Sequence, residues 1–588
     1  MTTRGLTRAA GGESRGTGDP DAVLRADGVG FRYRSATERQ LTDVSFQIRR
    51  GERVAVMGAT GAGKTTLLMM FNGLIPHHHD GEMHGYLTAV GLDTVEHDVV
   101  DLVRHVGLVM QDPESQITGR LALDDAAVGP ANLGLPRAEV LDRARRALDA
   151  VGLGELADRD TGQMSGGQQQ RLAIAGILAM APEILVLDEP TSELDPAGTA
   201  QVFAVVEQAA ADRHRTVVLV EHEPELVAQW ADRLIVLHDG ALVHDGPPAE
   251  FFAAAERAEA VGLRPPQVTT VCHALQRAGR LPADRTAVTL DEAVAVLQDR
   301  LPVTARARAS ARAPQPAVAA DAAVVIEATG LGHRYPSGVQ ALSDVDVRVR
   351  EGEFVALLGR NGAGKTTFAR HLNGLLRPTA GQLRVYGRPT GDRSVSDLAT
   401  DVGYVFQNPD HQIFAPTVRD EVAFGLRNAG WADDRIEEKV REVLDLVGMR
   451  AHLDHHPFRL GKGQRQRLAV ASVLALEPRI LIVDEPTTGQ DWRGARAIMD
   501  LVRELNRAGR TILMVTHDMP LVAEYAHRAL VFDAGRLRAD LPVADLFADE
   551  DLLAGTQLVA PQVTRLARRL GLPPVTTVEA FVELWEEA

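Results

Sequence analysis

Two copies of one α/β module joined in tandem are what this 588-residue sequence predicts. Three observations carry that expectation. A glycine-rich run, Gly58-Ala59-Thr60-Gly61-Ala62-Gly63-Lys64-Thr65-Thr66, returns as Gly359-Arg360-Asn361-Gly362-Ala363-Gly364-Lys365-Thr366-Thr367. An acidic turn, Leu187-Asp188-Glu189-Pro190-Thr191, returns as Val483-Asp484-Glu485-Pro486-Thr487. Around both, short apolar runs alternate with helical stretches, which implies a largely parallel sheet with helices on both faces. The repeat runs further, because His222 matches His517 and the tail Pro266-Gln267-Val268-Thr269 matches Pro561-Gln562-Val563-Thr564. Self-similarity over this length decides the organisation before any single element does.

Within the first copy, Arg53–Met57 reads as a strand running into glycines, followed by a helix from Thr66 to Leu74. Residues 183–187, 216–220 and 234–237 are further buried-strand candidates. The expected boundaries are a disordered tail over 1–22, a first module over 23–255 and its C-terminal extension over 256–301. A linker over 302–322, a second module over 323–548 and a second extension over 549–588 complete the chain. The linker is dominated by Ala, Arg and Pro without apolar periodicity, the composition of an exposed spacer. Leu290, Ala293, Val294 and Leu297 give the first extension a helical spacing.

Composition narrows the function classes. A formal net charge of −17 opposes a nucleic-acid binder, which shows a basic face or stripe. The single cysteine, Cys272, excludes a disulfide framework, a zinc cluster and an iron–sulfur site, and it fits a reducing compartment. The N-terminal stretch lacks the apolar segment of a signal peptide. No window approaches the roughly 20 apolar residues of a membrane span, so a membrane role is expected to come through partners.

Gly-x-x-x-x-Gly-Lys-Thr between a strand and a helix is a phosphate cradle. Its glycines let backbone N–H groups turn inward, and the helix N-terminus adds positive potential. Lys64 and Lys365 are expected to reach the β- and γ-phosphates of ATP, with the hydroxyls of Thr65 and Thr366 on Mg²⁺. Asp188 and Asp484 each close an apolar strand, where a carboxylate can hold Mg²⁺ through water. Glu189 and Glu485 follow at once, placed to deprotonate the attacking water. Without a phosphate loop upstream, an Asp-Glu-Pro after a strand would be a turn or a helix cap.

Met164-Ser165-Gly166-Gly167-Gln168 precedes the first acidic turn, and with it the chain resembles the ATP-binding-cassette family over nearly the whole of both modules. The resemblance implies P-loop domains with an inserted helical subdomain. It makes Gln111 and Gln407 the Q-loop glutamines, assigned to the Mg²⁺ site, and His222 and His517 the switch histidines. Ser192-Glu193-Leu194-Asp195 and Thr488-Gly489-Gln490-Asp491 match the D-loops, and Tyr33 and Tyr335 sit where an aromatic stacks on adenine. The family pairs two cassettes head to tail, so each ATP would lie between one module's P-loop and the other's signature. The second signature reads Leu460-Gly461-Lys462-Gly463-Gln464 and lacks the serine. The Lys365 nucleotide would then meet the intact Ser165, Gly166, Gly167 and Gln168, and the Lys64 nucleotide the altered motif with Gly463 and Gln464. Hydrolysis is therefore expected to be faster at the Lys365 site.

Within the family, the chain resembles the energy-coupling-factor ATPases of micronutrient importers. The matching stretches are Asn72-Gly73-Leu74-Ile75-Pro76, Asn373-Gly374-Leu375-Leu376, Gln111-Asp112-Pro113-Glu114-Ser115-Gln116 and Gln407-Asn408-Pro409-Asp410-His411-Gln412-Ile413-Phe414. Residues 129–136, Glu421-Val422-Ala423-Phe424-Gly425 and the tails agree. This implies a peripheral protein on the cytoplasmic face of the membrane, working with a transmembrane scaffold (a T-component-like protein) and a membrane substrate-binding protein. The cargo class would be a vitamin, a vitamin precursor or a transition metal. A soluble translation factor of the ABC-F type, or the double cassette of a sugar importer, is the alternative. His77-His78-His79 with His84 reads as a solvated loop, because no acidic or cysteine partner shares the spacing.

Overall fold

The computed structural model describes residues 19, 21–192, 194–211, 215–300, 322–487, 490 and 492–586. They fall into two compact units. The first runs to Thr269 and includes Thr286–Thr289; the second comprises Thr270–Arg285 and the chain from Leu290 onward. The expected linker, apart from Ala322, and most of the expected N-terminal tail lie outside the described residues, as do Glu193, Thr488, Gly489 and Asp491.

The first unit begins with β1 (Ala22–Tyr33), β2 (Leu41–Arg49) and β3 (Arg53–Met57), followed by β4 (Gly81–Ala89), β5 (Leu92–Asp93) and β6 (Val106–Val109). After a helical insert come β7 (Ile184–Asp188), β8 (Thr216–Val220), β9 (Arg233–His238) and β10 (Ala241–Gly246). One sheet is antiparallel, in the order β2-β1-β4-β5; the other has the order β10-β9-β3-β8-β7-β6, with only β10 antiparallel. All residues of β6, β7 and β8 are buried, as expected of strands covered on both faces. The insert is three helices, Ala122–Asn132, Arg137–Ala150 and Gly166–Ala179, whose Leu148, Leu172 and Ile174 share one core with Leu185 and Leu187 of β7 and Val217 and Leu219 of β8.

The second unit repeats this plan. Its strands are β11 (Val324–Arg334), β12 (Gln340–Arg350), β13 (Phe354–Leu358), β14 (Ala380–Val385), β15 (Arg388–Pro389) and β16 (Val402–Val405). They continue as β17 (Ile480–Asp484), β18 (Thr511–Val515), β19 (Arg528–Asp533) and β20 (Arg536–Pro542). The sheet orders are β12-β11-β14-β15 and β16-β17-β18-β13-β19-β20. Helices Val418–Asn428, Asp433–Leu446 and Lys462–Leu474 form its insert. The fold is thus two tandem P-loop α/β domains, each with a helical insert.

Two expectations shift in detail. The helix after the first glycine-rich loop runs over Lys64–Phe71 and not to Leu74. Gly73, with φ of 76°, turns the chain into a separate short helix, Leu74–His77, because only glycine enters that left-handed region without strain. The extension helix Leu290–Leu297 belongs to the second unit, where it packs on Gln562–Arg569 and Asp291 pairs with Arg569. Among the described residues no helix is long and apolar enough to cross a membrane.

Candidate functional site

In the first unit, parallel strands β3, β8, β7 and β6 lie side by side in that order. Each delivers a candidate residue at its carboxyl end: the glycine-rich loop after β3, His222 after β8, Asp188 and Glu189 at β7, and Gln111 after β6. Strands in a sheet are about 4.8 Å apart, so the four loops share one rim. That rim is where open parallel sheets bind ligands.

Gly63, at φ 97°, starts the helix Lys64–Phe71; a Cβ there would stand 2.7 Å from both the Gln40 carbonyl and Leu41 Cδ2. Only glycine allows the loop to close this tightly. Buried Lys64 donates to the carbonyls of Gly58 (2.9 Å) and Ala59 (3.3 Å), and its Nζ lies 3.9 Å from Glu189 Oε1. Glu189 also meets Gln111 Nε2 through Oε2 at 2.8 Å and His222 Nε2 through Oε1 at 2.6 Å. Its φ of 48° is left-handed, a conformation costing a non-glycine residue about 1–3 kcal/mol. Glu485 repeats it at 47°. In both units the strained turn sits where the carboxylate leaves the strand, as strain at functional positions does.

Asp188 is 1% exposed, and burial pushes its carboxyl up to about 6 despite a hydrogen bond from Thr65. Its Oδ1 is buried and has no hydrogen-bond partner. Hydroxyl and carboxylate oxygens are the donors that Mg²⁺ takes, so an unsatisfied oxygen beside the Thr65 hydroxyl fits that ion.

The second unit places β13, β18, β17 and β16 in the same sequence of neighbours. Lys365 donates to Gly359 O (2.7 Å) and Arg360 O (3.0 Å), and His517 Nδ1 stands 3.0 Å from Glu485 Oε1. Asp484 is again pushed up to about 6 by burial. Here, however, Tyr404 donates to Asp484 Oδ2 at 2.6 Å. Gln407 is exposed, and among the described residues no hydrogen bond of its side chain reaches Glu485, unlike Gln111 and Glu189. The Tyr33 and Tyr335 hydroxyls each lie 3.1 Å from a helix threonine, Thr66 and Thr367, which leaves both rings half-buried beside the loop.

Ser165 caps the helix Gly166–Ala179: its Oγ accepts from Gln168 N at 3.4 Å and Gln168 Oε1 accepts from Ser165 N at 2.9 Å. A hydroxyl that accepts keeps its own proton to donate. Gly461 starts the helix Lys462–Leu474 with no hydroxyl, and Gln464 turns toward His452 Nε2 at 3.2 Å. Gly463 is packed so closely that a Cβ would meet Gln490 Oε1 at 2.8 Å. Among the described residues no hydrogen bond joins either signature to the glycine-rich loop of its own unit. In the D-loops, Asp195 accepts from Gly198 N at 2.8 Å and so starts the next helix.

Sequence reading missed Glu221, which directly precedes His222. It is fully buried, accepts from Thr191 Oγ1 at 2.5 Å and from His222 N at 2.8 Å, and burial raises its carboxyl above the ordinary range. A charge immediately after the apolar strand β8, where the second copy has Thr516, was the available signal. Glu221→Ala strands the Thr191 hydroxyl and the His222 N–H. It is expected to destabilise the protein by about 2 kcal/mol, read as a lower first transition in thermal denaturation. His77 bonds to Thr94 O, His78 and His79 are exposed, and His84 meets Arg39. Among the described residues no group of three or more His, Cys, Asp or Glu could hold a metal.

Comparison with known proteins gives one family model, the ABC transporter model, matching residues 41–192 and again 342–488. A provisionally named ABC transporter ATP-binding protein of Caldanaerobacter subterraneus is 40% identical over 92% of this chain and 95% of its own. One of Methanosarcina acetivorans is 40% identical over 95% of this chain and 93% of its own. A solved chain, described as cbiO1 from Clostridium perfringens and part of the ABC transporter complex cbiONQ, is 32% identical; it covers 42% of this chain and 99% of its own at a TM-score of 0.37.

Proposed function

The chain belongs to the ABC transporter family of ATP-binding proteins and is an ATPase, and from that premise we propose that it is the energy-coupling subunit of an importer of the energy-coupling-factor type. Its cargo would be a vitamin, a vitamin precursor or a transition metal. Lys64 and Lys365 bind the β- and γ-phosphates, and Glu189 and Glu485 take the proton of the attacking water. Gln111 and His222 hold Glu189 in place, and His517 does so for Glu485. Thr65 with Asp188, and Thr366 with Asp484, would hold Mg²⁺, with Gln111 and Gln407 brought to it. The ion, when bound, neutralises charge on the phosphate oxygens.

The observation that carries the transport reading is the surface following Gln407. Phe414 is 63% and Phe424 44% exposed, their rings meeting edge to face at 4.7 Å. The loop beneath them is fixed, since Glu421 accepts from Phe414 N (3.0 Å) and Ala415 N (2.8 Å), and Gln412 bonds Ala469 O (2.8 Å). Two exposed aromatics on a rigid loop form an apolar patch of the sort that marks a protein contact. It lies in the stretch that, by resemblance, grips a helix of the transmembrane scaffold. In the first unit Thr118 and Val128 stand at the matching positions, and Val128 is also exposed.

Purification of the tagged chain from its own membranes in mild detergent tests this reading. An integral-membrane scaffold together with a membrane substrate-binding protein is the expected company. Ribosomal proteins without a membrane partner would overturn the importer reading and leave the ATPase.

A further inference from the structure

The two units differ at one position beside the acidic turn. The strand before the Q-loop glutamine reads Val106-Gly107-Leu108-Val109 in the first unit and Val402-Gly403-Tyr404-Val405 in the second. Tyr404 lies opposite Ile482 on the neighbouring parallel strand, and it is 7% exposed. From there its hydroxyl reaches past the strand end to Asp484 Oδ2, itself in a residue 5% exposed. The Arg370 guanidinium, on the helix Lys365–Leu372, lies beside both groups. In the first unit the matching positions are Leu108 and Met69, which offer no polar hydrogen.

The consequence differs between the two carboxylates. Asp188 has Leu108 where Asp484 has Tyr404, and its Oδ1 is buried without a hydrogen-bond partner. Asp484 is held from behind by a residue outside the donor set. A charge-assisted O–H···O⁻ bond of 2.6 Å is strong and directional, and it fixes the carboxylate through Oδ2. Groups that orient a ligating side chain in this way contribute heavily to metal affinity.

We infer that Tyr404 is a positioning residue of the second unit: by fixing Asp484 it lowers the divalent-metal concentration at which the Lys365 site binds metal–nucleotide, an advantage the Leu108-containing first unit lacks. The inference rests on the proposed reading of Asp484 as the metal-facing carboxylate. It concerns the metal step and leaves the phosphate contacts of Lys365 as they are.

The test uses the full chain with Lys64→Met, so that nucleotide binds at the second loop alone. Mn²⁺ binding in the presence of a fluorescent ATP analogue is followed by electron paramagnetic resonance. Analogue affinity in excess chelator is followed by fluorescence. Tyr404→Phe is expected to raise the half-saturating Mn²⁺ concentration about tenfold with the chelator value unchanged. Tyr404→Leu, which installs the first unit's residue, gives the same shift. Asp484→Asn is the reference. If Asp484→Asn moves the Mn²⁺ requirement and neither Tyr404 variant does, the inference is overturned and the reading of Asp484 stands. If none of the three moves it, the reading of Asp484 itself fails. An equal loss of chelator-state affinity in the Tyr404 variants makes the residue a packing element only and also overturns the inference.

Discussion

Glu485→Gln is expected to lower steady-state ATP turnover of the full chain by about 10²-fold or more, the scale of a lost general base, and Glu189→Gln by distinctly less. The amide keeps the size and the contact with His517, so the fold is preserved, but it cannot accept a proton from water. The inequality comes from the signatures. Under the head-to-tail pairing that family resemblance implies, the nucleotide of Lys365 meets Ser165 and that of Lys64 meets the Gly461-Lys462 motif. Ser165 Oγ accepts from Gln168 N, which leaves its proton for a phosphate oxygen. Gly461 has none to give. Losing a hydrogen bond to a charged group costs about 1.5–3 kcal/mol, enough to slow the step at the first site by tenfold or more. Phosphate release measured on both single variants decides the matter. Equal losses would contradict the asymmetry.

Lys365→Met is expected to weaken ATP binding at the second loop by about 10²-fold, from the loss of charge-assisted hydrogen bonds of that same size. Met retains the aliphatic stem, so packing is largely kept, while the carbonyls of Gly359 and Arg360 lose the ammonium that bridges them. The loop therefore loses both its cation and the cross-brace that shapes it. Titration with a fluorescent ATP analogue in the Lys64→Met background isolates this site. Unchanged affinity there would mean that Lys365 braces the loop without touching phosphate.

Much of this arrangement was legible in the sequence because the chain states it twice. Arg53–Met57 and Thr216–Val220 are strands as read, and the acidic turns close β7 and β17. Repetition also separated Gln111, Glu189 and His222 from ordinary polar residues, and the structure brings these three and Lys64 to one place. What stayed hidden depends on contacts remote in sequence. Tyr404 stands in an apolar strand and looks like core until Asp484, eighty positions on, is seen to accept its hydrogen bond. Glu221 is hidden in the same way by Thr191, and the helix break at Gly73 by a backbone angle that composition does not encode. The extension helix Leu290–Leu297 reads as part of the module it follows, because an amphipathic pattern records that a face is buried and not what buries it.

Solute uptake by vesicles reconstituted with the chain and the membrane proteins that copurify with it addresses the coupling of hydrolysis to transport most directly. Uptake should require ATP on the side of the membrane that carries the chain, and it should vanish in the Glu189→Gln/Glu485→Gln double variant while the complex stays assembled. Uptake that persists in the double variant, or reconstituted vesicles in which ATP is hydrolysed and no solute moves, would contradict it.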